Sequence, residues 1–338
     1  MNITVSIENR ENISIISIKN PPVNALSHSV RFGIMEKINQ AESNEKIQAI
    51  IITGDEKTFS AGADIKEFNK PRLKPSLPIV CNAIENLSKP VIAAIKGLAL
   101  GGGFEITLAA HYRTAHKNAK FGLPEVHIGL MPGAGGTQRL PRLCGAEDSL
   151  EIMCSGKQIS SSEAKTLNII DEVFDENLIE KTIEFSNYII KEKHGIRPTK
   201  YLYRHLLNKK ETLKTIDLFE QNLKTSEKNL FSPFKIIDAV KKSLREPFED
   251  GIAFEMKSFA DCMSSNQFKG LIHAFFAERN CSKIPEISKT IPRKIDKIAI
   301  IGGGTMGSGI SVASLDAGLK VIMLEKDQKS MRRGKERV

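Results

Sequence analysis

Apolar and polar residues alternate in period two along Thr4-Val-Ser-Ile-Glu8 and again along Ser14-Ile-Ile-Ser-Ile-Lys19, with a polar turn at Asn9 to Asn12 between them. That pattern predicts an opening β-hairpin. The Pro21-Pro22 pair stops the second strand. Ser27 then stands where a helix N-cap belongs, ahead of an apolar stripe at Val30, Ile34, Ile38 and Ala41. Ala49 to Thr53 and Val91 to Ile95 are almost wholly apolar runs of strand length, as expected of strands covered on both faces. Good helix formers from Phe104 to Ala110 follow the second run, so Gly101, Gly102 and Gly103 are predicted to mark the turn from the strand at 91–95 into a helix.

Further on, Ser160 with Glu163 forms a capping box for a helix through Leu167. Asn168 is placed for the left-handed position before Ile169-Ile-Asp-Glu-Val173. From Asn177 to about Asn280 the pattern is helical, with no strand. Phe275 and Phe276, near the end of the apolar spacing that runs from Asp250, read as core residues. Ser282 to Pro292 is polar, proline-punctuated and without period, a linker. Beyond it a strand at Lys297 to Ile301, a glycine-rich turn, a helix and a second strand at Lys320 to Leu324 complete an α/β chain.

Composition narrows the class. A chain of 338 residues, 41% hydrophobic and 26% charged, has room for about two domains. No apolar run reaches membrane-spanning length, since the stretch from Val91 to Leu100 is broken by Lys96. The first residues carry an acid early and do not read as a signal or transit peptide. Five cysteines stand singly, with no C-x-x-C and no histidine at zinc spacing. That fits a reducing compartment and no structural metal. The net charge of +9 suits an anionic partner, either nucleic acid or a phosphate-bearing small molecule. Part of the excess lies in the Lys329 to Arg337 run, read as a solvated basic tail.

Candidate chemistry sits in loops. Small residues from Ser60 to Ala63 follow a strand, where backbone can serve as a binding surface; a tightly packed loop is the other reading. The helix start at Gly101 to Gly103 offers unpaired N–H groups that could hold an oxyanion, with Glu105 beside it as acid or base; a plain tight turn is the alternative. Glu125 follows a proline at the end of Lys120-Phe-Gly-Leu-Pro-Glu125, and Pro132 to Leu140 is another glycine-rich turn and helix start. Two glutamates, each tied to a glycine-dense loop in an apolar region, suggest an acid/base pair. Separately, Gly302, Gly304 and Gly307 form G-x-G-x-x-G directly after a strand, with Thr305 and Met306 opening the helix. Glu325 follows about twenty residues on, so the whole is a dinucleotide fingerprint.

Phe59-Ser-Ala-Gly-Ala-Asp-Ile-Lys66, Gly97-Leu-Ala-Leu-Gly-Gly-Gly-Phe-Glu105, Phe121-Gly-Leu-Pro-Glu125 and Pro132-Gly-Ala-Gly-Gly-Thr-Gln-Arg139 together resemble the enoyl-CoA hydratase (crotonase) superfamily. With Asn20-Pro-Pro-Val-Asn24, the Phe275 to Arg279 segment and the fingerprint, the chain is similar to the amino-terminal portion of peroxisomal bifunctional enzymes, hydratase followed by 3-hydroxyacyl-CoA dehydrogenase. The resemblance implies a crotonase ββα superhelix followed by a helical segment and an incomplete Rossmann β-α-β unit. Its divisions would be a hydratase core at 1–190, a helical extension completing it at 191–283, a linker at 284–296 and the start of an NAD-binding domain at 297–338.

It further implies a thioester oxygen held by the N–H groups of Ala63 and Gly102, catalytic carboxylates at Glu105 and Glu125, and CoA along Ala61, Asp64 and Ile65, with Arg279 or Lys283 near its 3′-phosphate. The expected reaction is hydration of a trans-2-enoyl-CoA in fatty-acid β-oxidation. Glu105 would activate water and Glu125 deliver a proton to C2, with 3-enoyl to 2-enoyl isomerisation as a second activity. Hydration needs no cofactor, and NAD belongs to a complete dehydrogenase domain. Only the first β-α-β unit of that domain is in the sequence, so no dehydrogenase activity is expected of this chain; NADH formed from 3-hydroxyacyl-CoA and NAD would overturn that. A peroxisomal location is implied by resemblance alone, no targeting tripeptide being present, with a cytoplasmic one as the alternative. Rival readings are another acyl-CoA reaction on the same fold, or a non-catalytic RNA-binding role. The sequence offers no RNP motif for the latter, with Tyr at 4 and Trp at 0.

Overall fold

The structure, a computed structural model, describes residues 4–338 apart from 69, 72, 227–229, 282–283 and 285–289. Its elements run β1 (Val5–Arg10), β2 (Ile13–Ile18), α1 (His28–Ser43), β3 (Ala49–Thr53), β4 (Thr58–Ser60), α2 (Leu77–Glu85), β5 (Val91–Ile95), β6 (Leu98–Leu100), α3 (Gly102–Ala109), β7 (Tyr112–His116), β8 (Lys120–Gly122), α4 (Gly136–Cys144), α5 (Ala146–Ser155), β9 (Ile159–Ser160), α6 (Ser161–Thr166), β10 (Glu172–Phe174) and α7 (Leu178–Lys191). Four helices follow: α8 (Lys209–Ser226), α9 (Ser232–Arg245), α10 (Phe248–Ser264) and α11 (Asn266–Cys281). The chain continues with β11 (Lys297–Ile301), α12 (Thr305–Asp316), β12 (Lys320–Leu324) and α13 (Gln328–Arg337). It divides into two compact units, Met1–Ala277 and Glu278–Val338.

In the first unit a six-stranded sheet has the order β1-β2-β3-β5-β7-β10, antiparallel only at β1/β2, and a four-stranded sheet has the order β4-β6-β8-β9, antiparallel only at β8/β9. Each turn of the chain therefore lays a strand in the first sheet, then a shorter one in the second, and returns through a helix in β3-β4-α2 and β5-β6-α3. Period-two alternation explains the layering. Ile50, Ile52, Val91, Ala93 and Ile95 join the main core with α1 and α2, while Ala49, Ile51, Ile92 and Ala94 join a second cluster closed by Leu178 and Ile189 of α7. Burying each such isoleucine stabilises the fold by roughly 1.5–3 kcal/mol.

Several expectations are refined. The hairpin closes more tightly than its polar stretch suggests: Arg10 pairs with Ile13, leaving Glu11 at φ 53 in the turn. Ser27 occupies the N-cap position, but its hydroxyl pairs with Ser29 Oγ at 3.0 Å instead of capping the helix. The strand at 91–95 does not run into the helix; β6, in the other sheet, intervenes and feeds α3. The capping box at Ser160 and Glu163 forms, and Asn168 has φ 59. Ile169 and Ile170 lie outside the following strand, because their N–H groups fold back on the Ala164 carbonyl at 2.8 and 3.2 Å. Phe275 and Phe276 are half-buried and stack edge to face on each other, outside both core clusters. Lys329 to Arg337 is helical, within α13, with its Lys and Arg side chains exposed but Ser330 and Gly334 buried; Asp327 caps the helix by accepting from Ser330 N–H at 2.7 Å. Among the described residues no helix is long and apolar enough to cross a membrane.

Candidate active site

Strands β4, β6 and β8 lie side by side and parallel, so their ends deliver three loops to one edge: residues 61–64, residue 101 with the start of α3, and residues 123–125. The first loop is stapled from below. Asn24, buried at φ 51, donates through Nδ2 to the Thr58 carbonyl at 2.8 Å, and Ser60 Oγ donates to the Asn24 carbonyl at 2.7 Å. Leu26 N–H donates to the Gly62 carbonyl at 2.9 Å, and Ala61 N–H to the Val23 carbonyl at 2.9 Å. Asn20-Pro-Pro-Val-Asn24 thus acts as the clamp of the loop.

This clamping brings Ala63 N–H and Gly102 N–H together. A methyl built on Gly102 would stand 3.4 Å from Ala63 N, and one on Gly62 would stand 3.2 Å from Gly102 N. As the first residue of α3, Gly102 has no intrahelical acceptor for its N–H. Neither amide meets a protein acceptor among the described residues. Gly101 just before it has φ 51 and ψ −128, a backbone open to glycine. The space where a side chain would project is taken by Glu125, whose Oε1 lies 3.2 Å from that point.

Two carboxylates face this edge from different elements and in different surroundings. Glu105, in the first turn of α3 and 3% exposed, accepts through Oε1 from Ala134 N–H at 2.7 Å and Gly136 N–H at 2.9 Å. Burial pushes its pKa up, while those amides and Arg139 pull it back down. Glu125, in a 3₁₀ turn at Pro124–Ile128, has a buried Oε2 with no hydrogen-bond partner among the described residues. Burial, then the charge of Glu105, hold its pKa well above the usual range. Both are raised, Glu125 further, so Glu105 is the one of the pair that these surroundings ionise first.

Two groups that sequence reasoning missed complete the surroundings. Arg139 is buried; its Nη2 is 2.8 Å from Glu85 Oε2, and its Nη1 donates to the Ala134 carbonyl at 3.0 Å. Glu255 of α10, 0% exposed, accepts from Gly135 N–H at 2.6 Å and Thr137 N–H at 2.9 Å. A signal existed for it: Glu255 falls on the apolar stripe Phe248, Ile252, Phe259, Cys262 of α10, a position where an acid must find buried donors.

Of the remaining expected residues, Ala61 and Ile65 are half-buried on the first loop, and Asp64 caps the turn at Ile65–Glu67 by accepting from Lys66 N–H at 3.1 Å. Arg279 lies in the last turn of α11; Lys283 lies outside the described residues. Among those residues no cluster suits a metal ion. In the second unit β11 and β12 pair in parallel, Gly302 has φ 95, and a methyl on Gly307 would stand 1.7 Å from the Gly302 carbonyl, the close packing the third glycine permits. Nothing lies within 4 Å of a methyl built on Gly302 or Gly304, so the loop is open on that side. Thr305 and Met306 begin α12, and Glu325 Oε1 accepts from Gly303 N–H at 2.6 Å.

The two sheets, with the converging amides and the two glutamates at one edge, are those of a crotonase-fold protein. The sequence pattern of the enoyl-CoA hydratase/isomerase family matches residues 8–234, and that of the 3-hydroxyacyl-CoA dehydrogenase NAD binding domain matches residues 297–338. The chain belongs to the enoyl-CoA hydratase/isomerase family. It is 37% identical to a peroxisomal bifunctional enzyme of Danio rerio, over 97% of this chain and 46% of that protein. It is 35% identical to a glyoxysomal fatty acid beta-oxidation multifunctional protein of Cucumis sativus, over 99% of this chain and 48% of that one. The chain thus spans about half the length of the curated relatives it matches. Among solved structures, an enoyl-CoA hydratase from Bacillus anthracis aligns with TM-score 0.53 at 26% identity, covering 81% of this chain and 96% of that one.

Proposed function

We propose that the chain hydrates trans-2-enoyl-CoA to 3-hydroxyacyl-CoA, as a step of fatty-acid β-oxidation. The observation that carries this reading is the meeting, at one sheet edge, of two acceptor-free amides and two buried glutamates, one held by two backbone donors and the other with an unpartnered oxygen, so that Glu105 gives up its proton before Glu125. The thioester oxygen accepts from Ala63 N–H and Gly102 N–H, which draws charge from C3 and stabilises the enolate-like state that follows attack. Ionised Glu105 takes a proton from water as the oxygen adds at C3, and protonated Glu125 delivers its proton to C2. Positioned acids and bases of this kind contribute typically about 10²- to 10⁴-fold each. CoA runs along the loop of Ala61, Asp64 and Ile65. Residues 191–283 are read as completing the hydratase: α9, α10 and α11 contribute to the core of the first unit, and Glu255 of α10 binds the segment whose other amides hold Glu105.

Isomerisation of 3-enoyl to 2-enoyl thioesters is a second reading, favoured by the unpartnered Oε2 of Glu125, which is placed to carry a proton between C2 and C4. In the second unit Gly302, Gly304, Thr305, Met306, Gly307 and Glu325 would hold NAD, which supplies a hydride acceptor when bound. A peroxisomal location follows the names of the relatives and is tested by imaging the tagged protein in its own cells.

The test is direct. Mixed with trans-2-enoyl-CoA, the protein should remove the conjugated thioester absorbance and yield a product one water heavier by mass spectrometry. Unchanged absorbance with folded protein would reject hydration. Loss of 3-enoyl substrate without hydration of the 2-enoyl isomer would favour the isomerase alone.

A further inference from the structure

The segment that enters α4 gives its N–H groups alternately to two carboxylates. Ala134 and Gly136 donate to Glu105 Oε1, while Gly135 and Thr137 donate to Glu255 Oε1 and Oε2. Thr137 Oγ1 also donates to Glu255 Oε2, at 2.5 Å, and accepts from Gln138 Nε2 at 3.0 Å. Gly135, at φ 104, supplies the left-handed step by which the segment turns into α4. Glu105 comes from α3 and Glu255 from α10, on either side of it. The direction of the Ala134 and Gly136 N–H groups is therefore fixed from the far side, by the residue that takes the alternate pair.

We propose that Glu255 is a positioning residue for the hydration site: by holding Gly135 and Thr137 it keeps Ala134 and Gly136 aimed at Glu105. This rests on the assignment of Glu105 as the base. The charged and titratable groups that act on or feel Glu255 are Glu105, Glu125, Arg139 and Cys81. Arg139 pairs with Glu85 at 2.8 Å and still draws Glu105 down, while Glu255 in turn raises Arg139. Burial, then the charge of Glu105, raise Glu255 to about 8, against the pull of Thr137 and Gly135. Once ionised, Glu255 adds to Glu105 in keeping the proton on Glu125.

The test compares Glu255→Gln, Thr137→Val and Glu105→Gln with wild type in steady-state hydration across pH, with thermal unfolding run alongside. Glu255→Gln should lower kcat by about 10- to 100-fold, the cost of misplacing a reacting group by a fraction of its contact distance. KM should change far less than kcat, because the CoA loop is untouched. Without the Glu255 charge, Glu125 loses its proton at lower pH, so the alkaline limb of kcat should move to lower pH. Thr137→Val removes one donor to Glu255, makes it ionise later, and should move the same limb the same way by less; it also stands in should Glu255→Gln not fold. Wild-type kcat and limb in both variants, or a loss confined to unfolding temperature, would overturn the proposal. If Glu105→Gln keeps wild-type activity, the assignment of the base fails and takes this inference with it. If Glu105→Gln is inactive while the other two match wild type, the inference alone fails.

Discussion

Replacing Gly102 with alanine separates folding from catalysis. Gly102 has no positive φ, so the backbone accepts a side chain there. The new methyl would stand 2.4 Å from Leu77 Cδ2, the far end of a side chain that can rotate away, and 3.4 Å from Ala63 N. Moving Leu77 off its rotamer costs about 0.5–1.5 kcal/mol. Removing a glycine from the unfolded chain returns about 0.4–1 kcal/mol, so net stability should stay within about 1 kcal/mol of wild type. The same methyl stands in front of the Ala63 amide, where the thioester oxygen has to sit. Losing one such donor costs about 2.7–4 kcal/mol in the transition state, or about 10²- to 10³-fold in kcat. Loss of enoyl-thioester absorbance gives the rate, and calorimetry gives the stability. A folded variant with activity within about threefold of wild type would refute the reasoning, since that is under about 1 kcal/mol of transition-state stabilisation.

Gly101→Ala should behave differently, because φ 51 with ψ −128 is strained for any side chain: stability falls by about 1–3 kcal/mol, read by denaturant unfolding, and activity falls with it as Glu125 Oε1, 3.2 Å from the new methyl, is pushed aside. Arg139→Met leaves Glu85 charged and 1% exposed, so chemical denaturation should show a loss of about 3–5 kcal/mol. Stability against pH carries two opposite signatures. Glu255, raised to about 8, contributes stability that is full below its ordinary 4.5 and lost as pH rises through about 8; Glu255→Gln should therefore gain on wild type in melting temperature over that rise. His111, buried between Val91 N–H and the Glu85 carbonyl and lowered to about 4, contributes stability that is present above 6.5 and lost as pH falls through about 4; His111→Asn should flatten that acid limb.

Local chemistry made much of this legible in the sequence. Stripes such as Val30, Ile34, Ile38 and Ala41, the capping box at Ser160 and the strand-glycine-strand pattern at 297–325 each depend on neighbours in the chain, and each appears where its spacing placed it. What failed depended on distant partners. Strand β6 is three residues long and exists because β4 and β8 flank it, which no window around Gly97 encodes. Phe275 and Phe276 carry helical spacing, yet which face of α11 is covered is set elsewhere in the fold. The site was legible as motifs, with Glu105 and Glu125 each marked by a glycine-dense loop. Glu255 was marked only by its place on the apolar stripe of α10, since its loop partners lie 120 and 118 residues away.

The central claim is that Glu105 and Glu125 divide the work of base and acid. Rates of enoyl-thioester hydration for wild type, Glu105→Gln and Glu125→Gln, at equal folded concentration, test it most directly. Each substitution should cost about 10²- to 10⁴-fold in kcat. Wild-type rates in both variants would contradict the account.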